Sequence, residues 1–202
     1  KKTLTMVQVG ILTAIVLVMP FTPLGYLHIG PFSMSLLSIP VVIGAMLVGP
    51  EAGALLGLVF GLTSFAQCFG ADPFGAALLN INPFGTFFMC VPTRMLMGYL
   101  AGMIFKGLRK VDKTRTVCYF VGGISGAVLN TVFFMGAMLL FFWTSDYIQG
   151  MSGGAGIFGF LVTMVGLQGV LEALICCAAG GAISKAVSKA LSLYEFDEEY
   201  YP

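Results

Sequence analysis

The chain has 202 residues, of which 58% are hydrophobic and only 9% charged, and its net charge is +1. Soluble domains carry about 25% charged residues, so the composition excludes a large soluble core, and the near-zero net charge gives no broad basic face for nucleic acid. The sequence reads as an all-α integral membrane protein, one domain over residues 1–202 with six transmembrane helices in one bundle.

A spanning helix needs about 20 apolar residues. The first such run is Leu4 to Leu24, ended by Pro20 and Pro23. Met19-Pro20-Phe21-Thr22-Pro23 offers no small-residue cleavage site, so the run reads as a retained helix rather than a leader. Gly10 and Ala14 lie four apart on it, small residues on one face where another helix approaches closely. A loop over Gly25–Pro31 carries Tyr26 and His28, and a shorter helix follows from Ser33 to Val48 with Pro40 inside. Gly49-Pro50-Glu51 makes a tight turn into a third helix, Ala52 to Phe69, whose Gly53, Gly57 and Gly61 form a close-packing seam.

A longer loop, Gly70 to Pro83, ends in Asn80-Ile81-Asn82-Pro83, residue types that cap helices. The fourth helix, Phe84 to Leu108, has one charge before Lys106, the centrally placed Arg94, with Pro92 beside it. The basic cluster Lys106, Arg109, Lys110, Lys113 and Arg115 follows. A fifth helix, Thr116 to Trp143, carries Asn130 near its middle. The loop Thr144–Gly156 leads into a sixth helix from Ile157 toward Leu193, which contains Gln168 and Glu172, and the tail is acidic. Lys1, Lys2, the Lys106–Arg115 cluster, Lys185 and Lys189 all fall on one side of a six-span bundle, while the three longer loops carry no Lys or Arg. The positive-inside rule then puts both termini in the cytoplasm.

Arg94 lies 12 residues before Lys106, Glu172 lies 13 before Lys185, and Asn130 lies 15 after Arg115. At about 1.5 Å per residue all three sit roughly 18–23 Å from the basic flank, on three different helices. A guanidinium at that depth needs a partner. Two readings stand: Arg94 pairs with Glu172, or it clamps an anionic group of a small solute while Asn130 fixes the solute's polar atoms. Gln168, one turn before Glu172, lines the same pocket in the second reading, with Tyr26, His28 and Asn82 contributing from the outer loops. The five cysteines, Cys68, Cys90, Cys118, Cys176 and Cys177, have no metal or redox spacing and read as small apolar fillers. No Walker motif, catalytic triad or inverted repeat is present, so the chain is read as no enzyme, with no metal site and no cofactor of its own.

The run Pro23-Leu24-Gly25-Tyr26-Leu27-His28-Ile29-Gly30-Pro31, then Ile39-Pro40-Val41-Val42-Ile43-Gly44-Ala45, then the stretch from Gly49 to Ser64, resembles the substrate-binding S components of energy-coupling factor (ECF) vitamin transporters. Asn82-Pro83 followed by Pro92-Thr93-Arg94 is similar to the pantothenate-type branch, where the arginine holds the vitamin carboxylate. The family's first helix carries Ala-x-x-x-Ala for docking on a transmembrane T component; here the first position is Gly10. The resemblance implies high-affinity capture of a water-soluble vitamin, pantothenate foremost, from outside a bacterial plasma membrane. It implies delivery by toppling against a T component and two ATPases that use the ATP. The alternatives are an S component for a folate, pyridoxine or riboflavin class vitamin, or a self-sufficient secondary carrier.

Overall fold

The structure is a computed structural model that describes residues 2–22, 25–29, 32–112, 116–154 and 156–200. Helix α1 runs Lys2–Val18 and passes through one 3₁₀ turn, Met19–Phe21. Strands β1 (Tyr26–Ile29) and β2 (Phe32–Ser35) pair antiparallel with Tyr26 opposite Ser35. Then come α2 (Ser38–Leu47), α3 (Pro50–Gln67), α4 (Pro73–Ile81), α5 (Pro83–Val111), α6 (Val117–Phe142), α7 (Asp146–Ser152) and α8 (Gly156–Ile175). A π-helical turn, Cys176–Gly180, joins α8 to α9 (Gly181–Tyr200).

The helix starts follow local chemistry. Pro50, Pro73 and Pro83 each open a helix, where the missing N–H costs nothing. Asp72 caps α4 by accepting from the Phe74 and Gly75 amides, and Asn82 caps α5 by accepting from the Gly85 amide at 3.0 Å. Ser145 caps α7 through the Ile148 amide, and Gly153, with φ of 56°, ends it in the left-handed region. Asp112 accepts from the Thr116 and Cys118 amides and so seals the start of α6.

Three expectations change. The second helix starts at Ser38 rather than Ser33, because Ser33 and Met34 belong to a strand whose ladder satisfies their backbone. The stretches 70–83 and 144–156 are not plain loops; each holds a short capped helix, α4 and α7. The first helix stops at Val18, six residues short of Leu24. The acidic tail is helical to Tyr200. The count of six spans is not confirmed: by length and composition, four stretches among the described residues suffice to cross a membrane, Thr3–Phe21, Pro83–Val111, Val117–Phe142 and Gly169–Ala190. Helix α2 has 10 residues, about 15 Å of rise, and α3 has 18 residues but is interrupted by polar and glycine positions.

The outside of the bundle is apolar. Phe87, Phe88, Leu96 and Ile104 on α5, Val128, Val132 and Leu140 on α6, and Ile11 and Ile15 on α1 are all exposed, the inverse of a soluble surface. Two buried apolar clusters fill the inside. One gathers Val16, Leu37, Val41, Leu56, Phe60 and Met97; the other gathers Leu78, Met89, Val91, Met138, Phe142 and Phe160. Helix α5 runs through both, and Arg94 lies on it between Val91 of one and Met97 of the other.

The α3 glycine seam packs against α5. A Cβ on Gly53 would lie 2.4 Å from the Gly98 carbonyl oxygen, one on Gly57 2.3 Å from that of Arg94, and one on Gly61 2.7 Å from that of Cys90. Only glycine permits that approach, and it fixes the backbone that carries Arg94.

Candidate ligand-binding site

Arg94 is 6% exposed. Its Nη1 donates to the Cys90 carbonyl at 3.2 Å, one turn back on the same helix. Its guanidinium carbon lies 4.4 Å from the centroid of the Phe60 ring on α3 and 5.7 Å from that of Phe134 on α6. Ring quadrupoles on two sides attract the cation but accept no hydrogen bond from its Nε. Arg94 Nε is buried with no hydrogen-bond partner among the described residues. Pro92 and Thr93 stand just before it, and the Thr93 hydroxyl donates to the Met89 carbonyl.

Glu172 on α8 is 5% exposed and makes no ion pair with Arg94, although the two are near enough to interact electrostatically. Its Oε1 accepts instead from Ser38 Oγ at 3.2 Å and from Asn130 Nδ2 at 3.3 Å. Ser38, fully buried at the start of α2, also lies 3.4 Å from the Ser35 carbonyl oxygen and 3.3 Å from Cys176 Sγ. Ser35 Oγ is buried and unpartnered among the described residues. The polar cluster therefore links β2, α2, α6, α8 and the π turn. A π turn of this kind widens a helix locally, and it begins four residues after Glu172. It is held against α6 where a Cβ on Gly123 would lie 2.5 Å from the Cys176 carbonyl oxygen.

The shared depth assigned to Arg94, Asn130 and Glu172 corresponds to a real neighbourhood. Asn130 and Glu172 touch, and Phe134, one turn along α6 from Asn130, flanks Arg94. The Arg94–Glu172 pairing is absent among the described residues. Asn82 is placed as a helix cap, its side-chain oxygen turned to the Gly85 amide. Tyr26 and His28 lie on β1 and Gln168 on α8, and their side chains fall outside the described residues, as do Lys113 and Arg115. Gly10 and Ala14 are both exposed on α1, and a Cβ on Gly10 would meet nothing within 4 Å.

Ser35, Ser38, Phe60, Phe134 and Cys176 were not singled out by sequence. Ser38 interrupts the apolar run Leu36-Leu37-Ser38-Ile39, a faint signal. Phe60 and Phe134 carry none, being two of 18 phenylalanines.

The chemistry available is recognition. A cation with an unpartnered Nε among the described residues lies against two aromatic rings, and a separate polar cluster of Ser38, Asn130 and Glu172 is held on the neighbouring helices. Asn130 spends Nδ2 on Glu172 and keeps Oδ1 as an acceptor. Among the described residues no group of three or more metal-capable side chains occurs.

Comparison with known proteins agrees with the architecture and extends it. The pantothenic acid transporter PanT of Lactococcus lactis subsp. cremoris is 27% identical over 198 residues, covering 90% of this chain and 92% of that protein. The pantothenate transporter PanT of Leuconostoc mesenteroides subsp. mesenteroides is 33% identical over 139 residues, 65% of this chain and 66% of that one. The structure of ThiT from Listeria monocytogenes superposes with a TM-score of 0.64 at 20% identity, covering 94% of this chain and 97% of the other, a likeness of fold. The family model of the ECF transporter, substrate-specific component, matches residues 4–179. This chain is accordingly a protein of the cell membrane and belongs to the family of ECF transporter substrate-specific components.

Proposed function

We propose that this chain is the vitamin-capturing subunit of an ECF importer and that its ligand is pantothenate. The observation that carries the reading is Arg94: buried, stacked on Phe60, out of contact with Glu172's carboxylate, and with Nε unpartnered among the described residues. Leaving a charged donor unsatisfied in a low-dielectric bundle costs several kcal/mol, roughly 3–5 by analogy with broken buried pairs. An anionic guest removes that cost. With Nη1 engaged by Cys90, the Nε edge is the side offered to a carboxylate, and a guanidinium edge binds a carboxylate through two parallel hydrogen bonds.

Pantothenate carries one carboxylate, hydroxyls and an amide. Asn130 Oδ1 accepts from a hydroxyl or amide N–H of the ligand, while Glu172 holds the Asn130 amide in place. Ser35 Oγ supplies a further unspent group near the same cluster. The two relatives are pantothenate transporters by name, which supports that vitamin over others.

Transport follows from docking. Gly10 and Ala14 present a small-residue face to the membrane, the surface on which a transmembrane T component packs, and two ATPases in the cytoplasm supply the energy. Both termini and the basic end of α5 face the cytoplasm in this reading, and the ligand enters from outside. The test has two arms. Mass spectrometry of the small molecule that co-purifies with the protein is expected to find pantothenate, and a different vitamin overturns the assignment. Liposomes holding this chain alone are expected to bind ligand without accumulating it; accumulation without ATPases would make it a carrier in its own right.

A further inference from the structure

A cleft of about 490 Å³ opens at the other end of α5, away from Arg94, between its basic last turns and the first turn of α3. Tyr99, Met103, Lys106 and Lys110 line it along one stripe of α5, at spacings of four, three and four residues. The opposite wall is Pro50 and Glu51. The two helices are pinned there: a Cβ on Gly102 would lie 2.7 Å from the Pro50 Cα.

The stripe is graded. Tyr99 is 40% exposed and Met103 50%, both apolar contacts on the side toward the bundle's middle. Lys106 and Lys110 are exposed beyond them, about 10 and 16 Å further along the axis from Tyr99. Neither lysine makes an ion pair among the described residues, Glu51 included. Two cations against one carboxylate leave the cleft positive at the C-terminal end of the α5 span. A basic pocket between membrane helices, with an apolar floor running into the bilayer, matches one molecule in shape and charge: a phospholipid with an anionic headgroup. Its phosphate meets the ammonium groups, and an acyl chain follows Met103 and Tyr99 inward.

We propose that this cleft seats an anionic glycerophospholipid, held by Lys106 and Lys110. The inference is independent of which vitamin the chain carries. Arg94 lies 12 residues before Lys106, about 18 Å away along α5. The seat steadies the α3–α5 contact that also runs through Gly57 and Arg94.

The test is native mass spectrometry of the purified, delipidated chain given phosphatidylglycerol and phosphatidylcholine at equal concentration. The wild type is expected to retain one phosphatidylglycerol about tenfold more than phosphatidylcholine. Lys106→Gln combined with Lys110→Gln brings the ratio close to one. Lys185→Gln, which removes a cation that donates to Thr116 elsewhere, leaves it unchanged. Equal retention of the two lipids by the wild type, an unchanged ratio in the double variant, or displacement of the lipid by millimolar inorganic phosphate alone would each overturn the seat.

Discussion

A methyl group built on Gly57 would stand 2.3 Å from the carbonyl oxygen of Arg94, and so the backbone under the buried cation is set by a residue of another helix. The side chain proposed to meet the ligand is positioned by the absence of one opposite it. Gly57→Ala must push α5 off α3. It is expected to destabilise the protein by about 1–3 kcal/mol and to weaken ligand binding as well. Thermal unfolding in detergent, read with and without ligand, checks both effects. A variant as stable as wild type with full affinity would show that the seam is not needed for the site.

Glu172 is assigned a positioning role through Asn130 and Ser38 rather than a direct charge on the ligand. Glu172→Gln keeps an acceptor oxygen for both donors and is expected to retain affinity within about threefold, whereas Glu172→Leu takes away the acceptor of the Asn130 amide, leaves Ser38 only its Ser35 and Cys176 partners, and costs about 1–3 kcal/mol of binding. Calorimetry on the two variants separates the roles. Equal losses in both would mean that the carboxylate itself acts on the ligand.

Asn82 is expected to matter for folding and little for affinity. Asn82→Ala removes the acceptor of the Gly85 amide and should cost about 1 kcal/mol of stability, while Asn82→Asp should cost much less. Chemical or thermal unfolding reads the difference. A large loss of affinity with unchanged stability would return Asn82 to the ligand site.

Gly10→Leu adds bulk where a Cβ meets open space within this chain, so binding by the isolated protein is expected to stay at the wild-type level. Uptake in cells that contain the T component and ATPases should fall to background. Undiminished uptake would place the docking face elsewhere.

The polar residues of the candidate site stood out because charge is rare in this sequence. Arg94 is the only charged residue between Pro83 and Lys106, and counting residues from the basic flanks placed Asn130 and Glu172 at its level, where the structure brings the three helices together. The glycine seam was legible for the same reason: period-four glycines in an apolar helix have few other uses. What stayed hidden had no contrast. Ser38 is one small hydroxyl in an apolar run, and its reach to Glu172, 134 residues away, depends on tertiary packing. Phe60 and Phe134 vanish among the other phenylalanines. The hairpin and the short helices α4 and α7 were missed because their stretches are rich in Gly, Pro, Asn and Asp, which read as turns, and helices of 9 and 7 residues are too short to show a clear period. The Arg94–Glu172 pairing failed as a reading because shared depth does not distinguish a direct bond from two neighbours with other partners.

The central claim is that Arg94 compensates a ligand carboxylate, and calorimetry that varies both partners tests it most directly. Pantothenate and the corresponding alcohol, in which the carboxylate is replaced by a hydroxymethyl group, are titrated into the wild type and into Arg94→Gln. The wild type is expected to prefer the acid by more than about 2 kcal/mol, roughly thirtyfold, and the variant to lose most of that preference while still binding the alcohol. A variant that discriminates acid from alcohol as strongly as the wild type would contradict the account.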